Sequence, residues 1–291
     1  MSQINVNVIA PLGYLGTPLT GSDDNIEVID ATGARMIYTD GTLGYVGIGG
    51  NNSIPLAFAT NIGPFAGNAL AFSTNGPSIA IGPFAMQNAQ WTGNNTAIGQ
   101  YALENATGIT GINNIAVGSN SGRSITNGQN NVLIGNLAGF SPTAITTGNN
   151  NIVIGATAAT ATATTNNSVT LGNSSITVLR CAVTSITSLS DARDKKDIAP
   201  IGLGLNFIKE LNPVKFVWNE RNVDGKHNIA DSGFIAQDLK ALEDKYNAAD
   251  VLKLVYNENP EKLEASYGRL IPVLVKAIQE LTAKVEELEN K

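Results

Sequence analysis

Asn94-Asn95-Thr96-Ala97-Ile98-Gly99 is the unit from which much of this chain is built. A short apolar strand closing on glycine recurs in Ser78-Ile-Ala-Ile-Gly82, Ile115-Ala-Val-Gly118, Val132-Leu-Ile-Gly135, Ile152-Val-Ile-Gly155 and Ser168-Val-Thr-Leu-Gly172. The closing glycines, Gly99 included, fall 17, 19, 17, 20 and 17 residues apart. Paired asparagines precede most of the strands: Asn94-Asn95, Asn113-Asn114, Asn130-Asn131, Asn150-Asn151 and Asn166-Asn167. Small apolar runs such as Gln100-Tyr-Ala-Leu103 and Asn136-Leu-Ala-Gly139 follow several of them. A nearly fixed period with one strand and one turn per repeat marks a β-solenoid or β-roll.

Each rung is too short to bury its own apolar face, so rungs must stack or three chains must share one core. Glycine permits positive φ at each corner, and asparagine tolerates the left-handed region better than most residues. Columns of Asn and Thr along such a roll read first as structural ladders and second as a glycan-binding surface. Over roughly residues 75–175 the repeat resembles the head of trimeric autotransporter adhesins, with their NNxAIGxxA-type units. That resemblance implies a trimeric β-roll.

Upstream, Asn25–Asp30, Arg35–Thr39 and Tyr45–Gly49 are strand candidates, separated by turn signals at Ala31-Thr-Gly33 and Asp40-Gly41. They make residues 1–50 a short β leader or attachment region. Residues 51–189 form the shaft, and the β-branched run 173–189 is expected as its final strand.

Charge changes abruptly at residue 190. The net charge is -6 with a pI near 4.9, and only six acids (Asp23, Asp24, Glu27, Asp30, Asp40, Glu104) and three bases (Arg35, Arg123, Arg180) precede Ser190. The remaining 18 acids and 15 bases fall in 190–291, so a second architecture begins there. Leu203–Leu211 reads as a short helix ending before Asn212-Pro213. Val214–Trp218 is a strand, Val223-Asp-Gly225 a turn, Asp231–Ile235 a second strand, Ala236–Ala248 a helix and Val251–Tyr256 a third strand. The chain closes, over about 267–290, in a helix whose Ile271, Leu274, Ile278, Leu281, Val285 and Leu288 follow 3-4-3-4-3 spacing, an a/d seam for a homo-oligomeric coiled coil. β-Branched residues at a with Leu at d suit two strands; a fibre suits three, and three is the expectation here.

The junction itself, Ser190-Asp191-Ala192-Arg193-Asp194-Lys195-Lys196-Asp197-Ile198, carries the chemistry. Ser190 is a candidate nucleophile and Lys195 a candidate general base, provided the amine is made neutral by desolvation or by nearby positive charge, which Arg193 and Lys196 could supply. A spacing of five does not stack two side chains on one helix face, so the pair requires a bend; by spacing alone it also arises by chance. The set Ser190-Asp191-x-Arg193-x-Lys195-x-x-Ile198, Leu211-x-Pro213-x-x-Phe216-x-Trp218, Gly233-Phe-Ile-Ala-Gln237 and Tyr267-x-x-Leu270 is similar to the peptidase S74 family, the intramolecular chaperone of endosialidases and phage tail fibres. The resemblance implies that residues 190–291 trimerise, nucleate the shaft, and release themselves through a Ser190–Lys195 dyad. The bond expected to break is Leu189–Ser190, with Ser190–Asp191 second, and Asp191 and Arg193 in supporting roles.

Other chemistries find little purchase. There is no basic stripe for nucleic acid, no apolar stretch of membrane-spanning length and no signal peptide at Met1-Ser-Gln-Ile-Asn. Cys181, the single cysteine, is expected to be buried in the core, and no His/Cys cluster offers a metal site. His227, the single histidine, reads as a loop residue. Gly47-Ile-Gly49-Gly50 lacks the context of a dinucleotide fold. The expectation is a mainly β homotrimer needing no cofactor: a tail-fibre or appendage protein made in the host cytoplasm and built into the virion, bound to tail or baseplate proteins and to a host receptor such as a glycan. Its tail gathers three chains so that slow interchain β-pairing starts in register. A bacterial surface adhesin and a glycan-degrading tailspike are the alternatives, the latter opposed by the scarcity of carboxylates in the shaft.

Overall fold

The computed structural model of the chain describes residues 27–29, 35–40, 45–48, 59–67, 78–89, 93–106, 111–183, 185–219 and 227–291. The expected turns at 31–33 and 223–225 lie outside these residues. The chain divides into two compact units, Met1–Asn173 and Ser174–Lys291.

Among the described residues, the first unit is one ten-stranded sheet in which every strand pairs with its sequence neighbours. Its first three strands, β1 (Glu27–Ile29), β2 (Arg35–Asp40) and β3 (Tyr45–Ile48), are antiparallel. From β3 onward the ladder is parallel, through β4 (Ala59–Ile62), β5 (Ser78–Ile81), β6 (Thr96–Ile98), β7 (Ile115–Val117), β8 (Val132–Ile134), β9 (Ile152–Ile154) and β10 (Val169–Leu171). This is a β-solenoid, one rung per repeat. The pairing expected between chains is made within one chain, because each rung returns to its neighbour after only 17 to 20 residues.

Side chains alternate across each strand. The central position points inward, and Ala80, Ala97, Ala116, Leu133 and Val153 are completely buried there. The two flanking positions point outward and stack into columns. One runs Ile79, Thr96, Ile115, Val132, Ile152, Val169; the other runs Ile81, Ile98, Val117, Ile134, Ile154, Leu171. The interior is narrow, so its core consists largely of alanine with Leu103, Ile125 and Ile145 filling the corners. The glycine closing each strand holds positive φ and lies against the next: a Cβ on Gly118 would meet Gly135 O at 2.4 Å, and one on Gly135 would meet the Gly155 carbonyl at 2.6 Å.

The second unit opens with extended chain. Residues 173–189, where a final strand was expected, form no strand among the described residues, because a strand needs a neighbour to take its N–H and C=O groups. Cys181 lies in this segment and is exposed, not buried. A small α+β body follows: α1 (Leu205–Glu210), an antiparallel ribbon of β11 (Val214–Asn219) and β12 (His227–Gly233), α2 (Ala236–Lys245), the single turn α3 (Ala249–Leu252), a short pair β13 (Val255–Tyr256) and β14 (Glu264–Ala265), and α4 (Ile271–Glu289). Val251 and Leu252, expected in a strand, are helical. Lys253 then turns left-handed at φ 51, which sends both Leu252 and Leu254 into the core. That core joins Phe207 of α1, Leu239 and Leu242 of α2, and Leu270 and Val273 at the start of α4.

Candidate functional site

Asp191 shapes the junction. Its carboxylate accepts the Arg193 backbone N–H at 2.9 Å and starts a 3-10 turn over Ala192–Asp194, which closes as Lys195 N donates to Ala192 O at 3.2 Å. The turn supplies the bend that a spacing of five requires. It returns Lys195 to Ser190, and Nζ donates to Ser190 Oγ at 2.6 Å and to Ser190 O at 3.2 Å. The two residues singled out by the junction motif are therefore in hydrogen-bond contact, within the reach expected of a nucleophile and its base.

The electrostatics differ from the expectation. Arg193 does not face Lys195; it grips Asp191, Nε to Oδ1 at 3.0 Å and Nη2 to Oδ2 at 2.6 Å. Its guanidinium, with its own backbone N–H, holds the Asp191 carboxyl below the usual carboxylate value, and Asp191 in turn raises Arg193. The positive charge of Arg193 is thus answered locally. Ser190, Lys195, Lys196 and Leu189 are all exposed, so one chain by itself supplies no desolvation at the pair.

The seam residues of α4 are brought into line on one face, and none is covered. Ile271, Leu274, Ile278, Leu281, Val285 and Leu288 stay 42–68 % exposed, while Val273 and Ala277 are buried against the body. Two contacts invisible in the heptad pattern fix α4 there. Glu280 accepts the Leu205 N–H at 2.8 Å, which caps α1 and lowers the Glu280 carboxyl. Tyr267, in the 3-10 turn Tyr267–Leu270 that enters α4, accepts from Phe234 N at 3.2 Å and donates to Phe234 O at 3.1 Å. A Cβ at Gly233 would stand 2.8 Å from that hydroxyl, so the Gly233-Phe234 step and Tyr267 belong to one latch.

In the solenoid, the paired asparagines divide their work. In the last pair, Asn166-Asn167, the second residue turns left-handed at φ 57; in the other four the first takes positive φ, from 55 to 59 at Asn94, Asn113, Asn130 and Asn150. The second is buried: Asn95, Asn114, Asn131 and Asn151 are at most 1 % exposed. Each buried Oδ1 accepts a backbone N–H of the next rung, at 2.8 Å for Asn114 on Asn95, 3.0 Å for Asn131 on Asn114 and Asn151 on Asn131, and 3.1 Å for Ser168 on Asn151. Each Nδ2 donates to a neighbouring carbonyl, Asn131 to Gly148 O at 2.9 Å. Outer amides form a second ladder, Asn113 to Asn130 and Asn150 to Asn167. The only charges between Asp40 and Arg180, Glu104 and Arg123, pair with each other at 2.5 Å across adjacent rungs, with Arg123 lying over the Tyr101 ring.

His227 opens β12 opposite Asn219 instead of sitting in a loop. Among the described residues no three His, Cys, Asp or Glu side chains gather as metal ligands would, and no helix is long and apolar enough to cross a membrane.

A family model, Peptidase_S74, described as the chaperone of endosialidase, matches residues 190–248. Its first matched residue is Ser190. No curated protein and no solved structure matches the chain.

Proposed function

We propose that this protein is the shaft of a homotrimeric tail fibre or appendage, assembled by residues 190–291 acting as an intramolecular chaperone that then cuts itself free. The observation that carries this reading is α4: a six-residue apolar seam lies open along a helix whose first half is anchored to the body by Val273 and Ala277. Such a face calls for copies of itself. The match to the endosialidase chaperone supports the same reading from the opposite end of the domain.

Self-cleavage follows from the junction. Ser190 Oγ attacks the carbonyl carbon of Leu189 as Lys195 Nζ, in its neutral form, takes the hydroxyl proton. The Leu189–Ser190 C–N bond breaks as that proton passes to the departing nitrogen, leaving Leu189 esterified to Oγ. Water then opens the ester, giving a Leu189 carboxylate and a free Ser190 amine and hydroxyl. Attack on the serine's own carbonyl would close a four-membered ring, which sets Ser190–Asp191 aside. The base must be desolvated to act, and the surroundings that could cover an exposed pair are other copies of the chain.

The remaining roles are attachment of the shaft to tail or baseplate proteins and, at its surface, to a host receptor such as a glycan, within a virion. A surface adhesin built on the same roll is the second choice. The roll offers one acid, Glu104, already paired, where glycoside hydrolysis needs two carboxylates.

Intact-mass measurement with light scattering tests the whole reading. Wild type should give two fragments and a trimeric mass; Ser190→Ala and Lys195→Ala should give one uncut trimeric chain. An uncut wild type removes the protease; a monomeric full-length chain removes the chaperone.

A further inference from the structure

We propose that the turn face of the solenoid, around the Glu104–Arg123 pair, is a binding site for an uncharged saccharide. The proposal rests on the receptor-binding role given to the shaft above, and assigns that role a place and a ligand class. Every residue of the site belongs to one chain, so it does not depend on how chains assemble.

The observation is where the unusual side chains fall. From β4 to β10, all four aromatic residues among the described residues, and the only two charges, lie in the turns that follow the closing glycines. Two residues after each glycine the backbone turns left-handed, at φ 57, 61 and 57 for Phe65, Phe84 and Tyr101. The same column continues as Asn120, Leu137 and Thr157 with φ from 53 to 59, so stacking the rungs does not require rings there. A bulky residue in this region is strained, and strain of that kind gathers where a ligand is held. The three rings stack on one another, with centroids 5.3 and 4.9 Å apart and planes within 7°, and the Arg123 guanidinium closes the stack 4.5 Å from the Tyr101 centroid. Phe140 flanks that guanidinium from the next rung at 5.7 Å.

The polar groups are held ready. Buried Glu104 accepts from Arg123 Nε, and Asn120 Oδ1 accepts from Nη1 at 3.1 Å, while Nη2 has no partner among the described residues. One position further along the same turns, Asn88 Nδ2 donates to Asn105 Oδ1 at 3.1 Å. Asn88 Oδ1 and Asn105 Nδ2 are left as an acceptor and a donor, the pair that a hydroxyl, both donor and acceptor, can use. Charge selects a neutral ligand. Residues 41–179 hold no charge besides this pair, and the pair cancels, so no field draws an ion to the face. An anion approaching Nη2 also meets the Glu104 carboxylate behind it, whereas a sugar hydroxyl meets no such opposition and brings apolar ring carbons to the aromatic rail.

A printed array of bacterial surface oligosaccharides, neutral and acidic, tests the site on the full-length chain. Wild type should label neutral members. Arg123→Leu with Glu104→Gln removes the fork without leaving a carboxylate unpaired, and should weaken that binding by about tenfold or more. Asn88→Ala with Asn105→Ala, changed at the surface, should weaken it as well, while Thr147→Ala, exposed on another turn, should bind as wild type does. Far-UV circular dichroism and thermal unfolding establish that each variant is folded. Preference for acidic members, or a folded Asn88/Asn105 variant that binds like wild type, would overturn the site and leave the shaft its receptor role. An array with no labelled member would overturn both. Loss of the assembled mass in either double variant, read by light scattering, would make the cluster a contact between subunits and refute the proposal too.

Discussion

At the scale of single residues, the buried asparagines decide whether a rung stacks. Asn131 donates to Gly148 O and to Asn114 Oδ1 and accepts from Asn151 N, in an interior where nothing else can replace those bonds. Asn131→Ala should cost about 3 kcal/mol, since it strands a buried carbonyl and a buried N–H at once; the shift in the denaturant midpoint measures it. Asn61 provides the opposite case. It takes the central inward place in β4 that alanine holds in β5 to β7, and its buried Oδ1 has no hydrogen-bond partner among the described residues. Asn61→Ala should raise stability by about 1 kcal/mol in the same assay. At the junction, the Asp191 carboxyl is held below its ordinary value of 3.8 by Arg193. A depressed carboxylate favours the folded turn above that ordinary value, and the benefit fades as pH falls through the lower folded value. The Asp191 carboxyl carbon should therefore titrate by NMR below 3.8, and Arg193→Ala should return it toward 3.8; an unchanged midpoint would separate Arg193 from the turn.

Among the elements, the parallel strands were readable because their apolar triplets and closing glycines recur in register. So was α4, from a/d spacing alone. What spacing does not carry is direction: an Asn-Asn pair looks the same whether one amide or both face solvent. The answer depends on the first residue turning left-handed, and that appears only in the backbone. The same holds for the Ser190–Lys195 pair. The offset of five revealed that a bend was required, whereas Asp191 as its cap, and Arg193 drawn toward Asp191 instead of Lys195, depend on hydrogen-bond geometry. Val251 and Leu252 were misplaced because an apolar run fits a strand or a buried turn equally well until Lys253 breaks it. The glycine column makes the sharpest element-level test. Gly135 holds φ +133 with the Gly155 carbonyl 2.6 Å from where a Cβ would stand. Gly135→Ala should cost about 3 kcal/mol or more through strain and lost rung contact, read from thermal unfolding of the solenoid, while Gly202→Ala, with open space around it, should be near neutral.

For the molecule as a whole, intrachain pairing changes what a chaperone has to accomplish. From β4 to β10 each strand meets its neighbour after 17 to 20 residues of the same chain, so the ladder grows from nearby contacts, and a slow search for distant partners is not needed. In the proposed assembly, the task left to residues 190–291 is to gather chains through α4 before exposed apolar surface meets the wrong partner. In the proposed trimer, Ile278→Asp, on the open side of α4, should leave the helical signal of the body intact while giving a monomer by light scattering; a trimeric mass for this variant would move the assembly contact elsewhere. Because every step of the solenoid closes on its own neighbours, its length is a matter of arithmetic. Duplicating one seventeen-residue stretch in the gene would extend the rod by a single strand spacing, about 4.8 Å, and leave every existing contact as it was. A lineage can thus adjust the reach of such a rod in small increments without redesigning either of its ends.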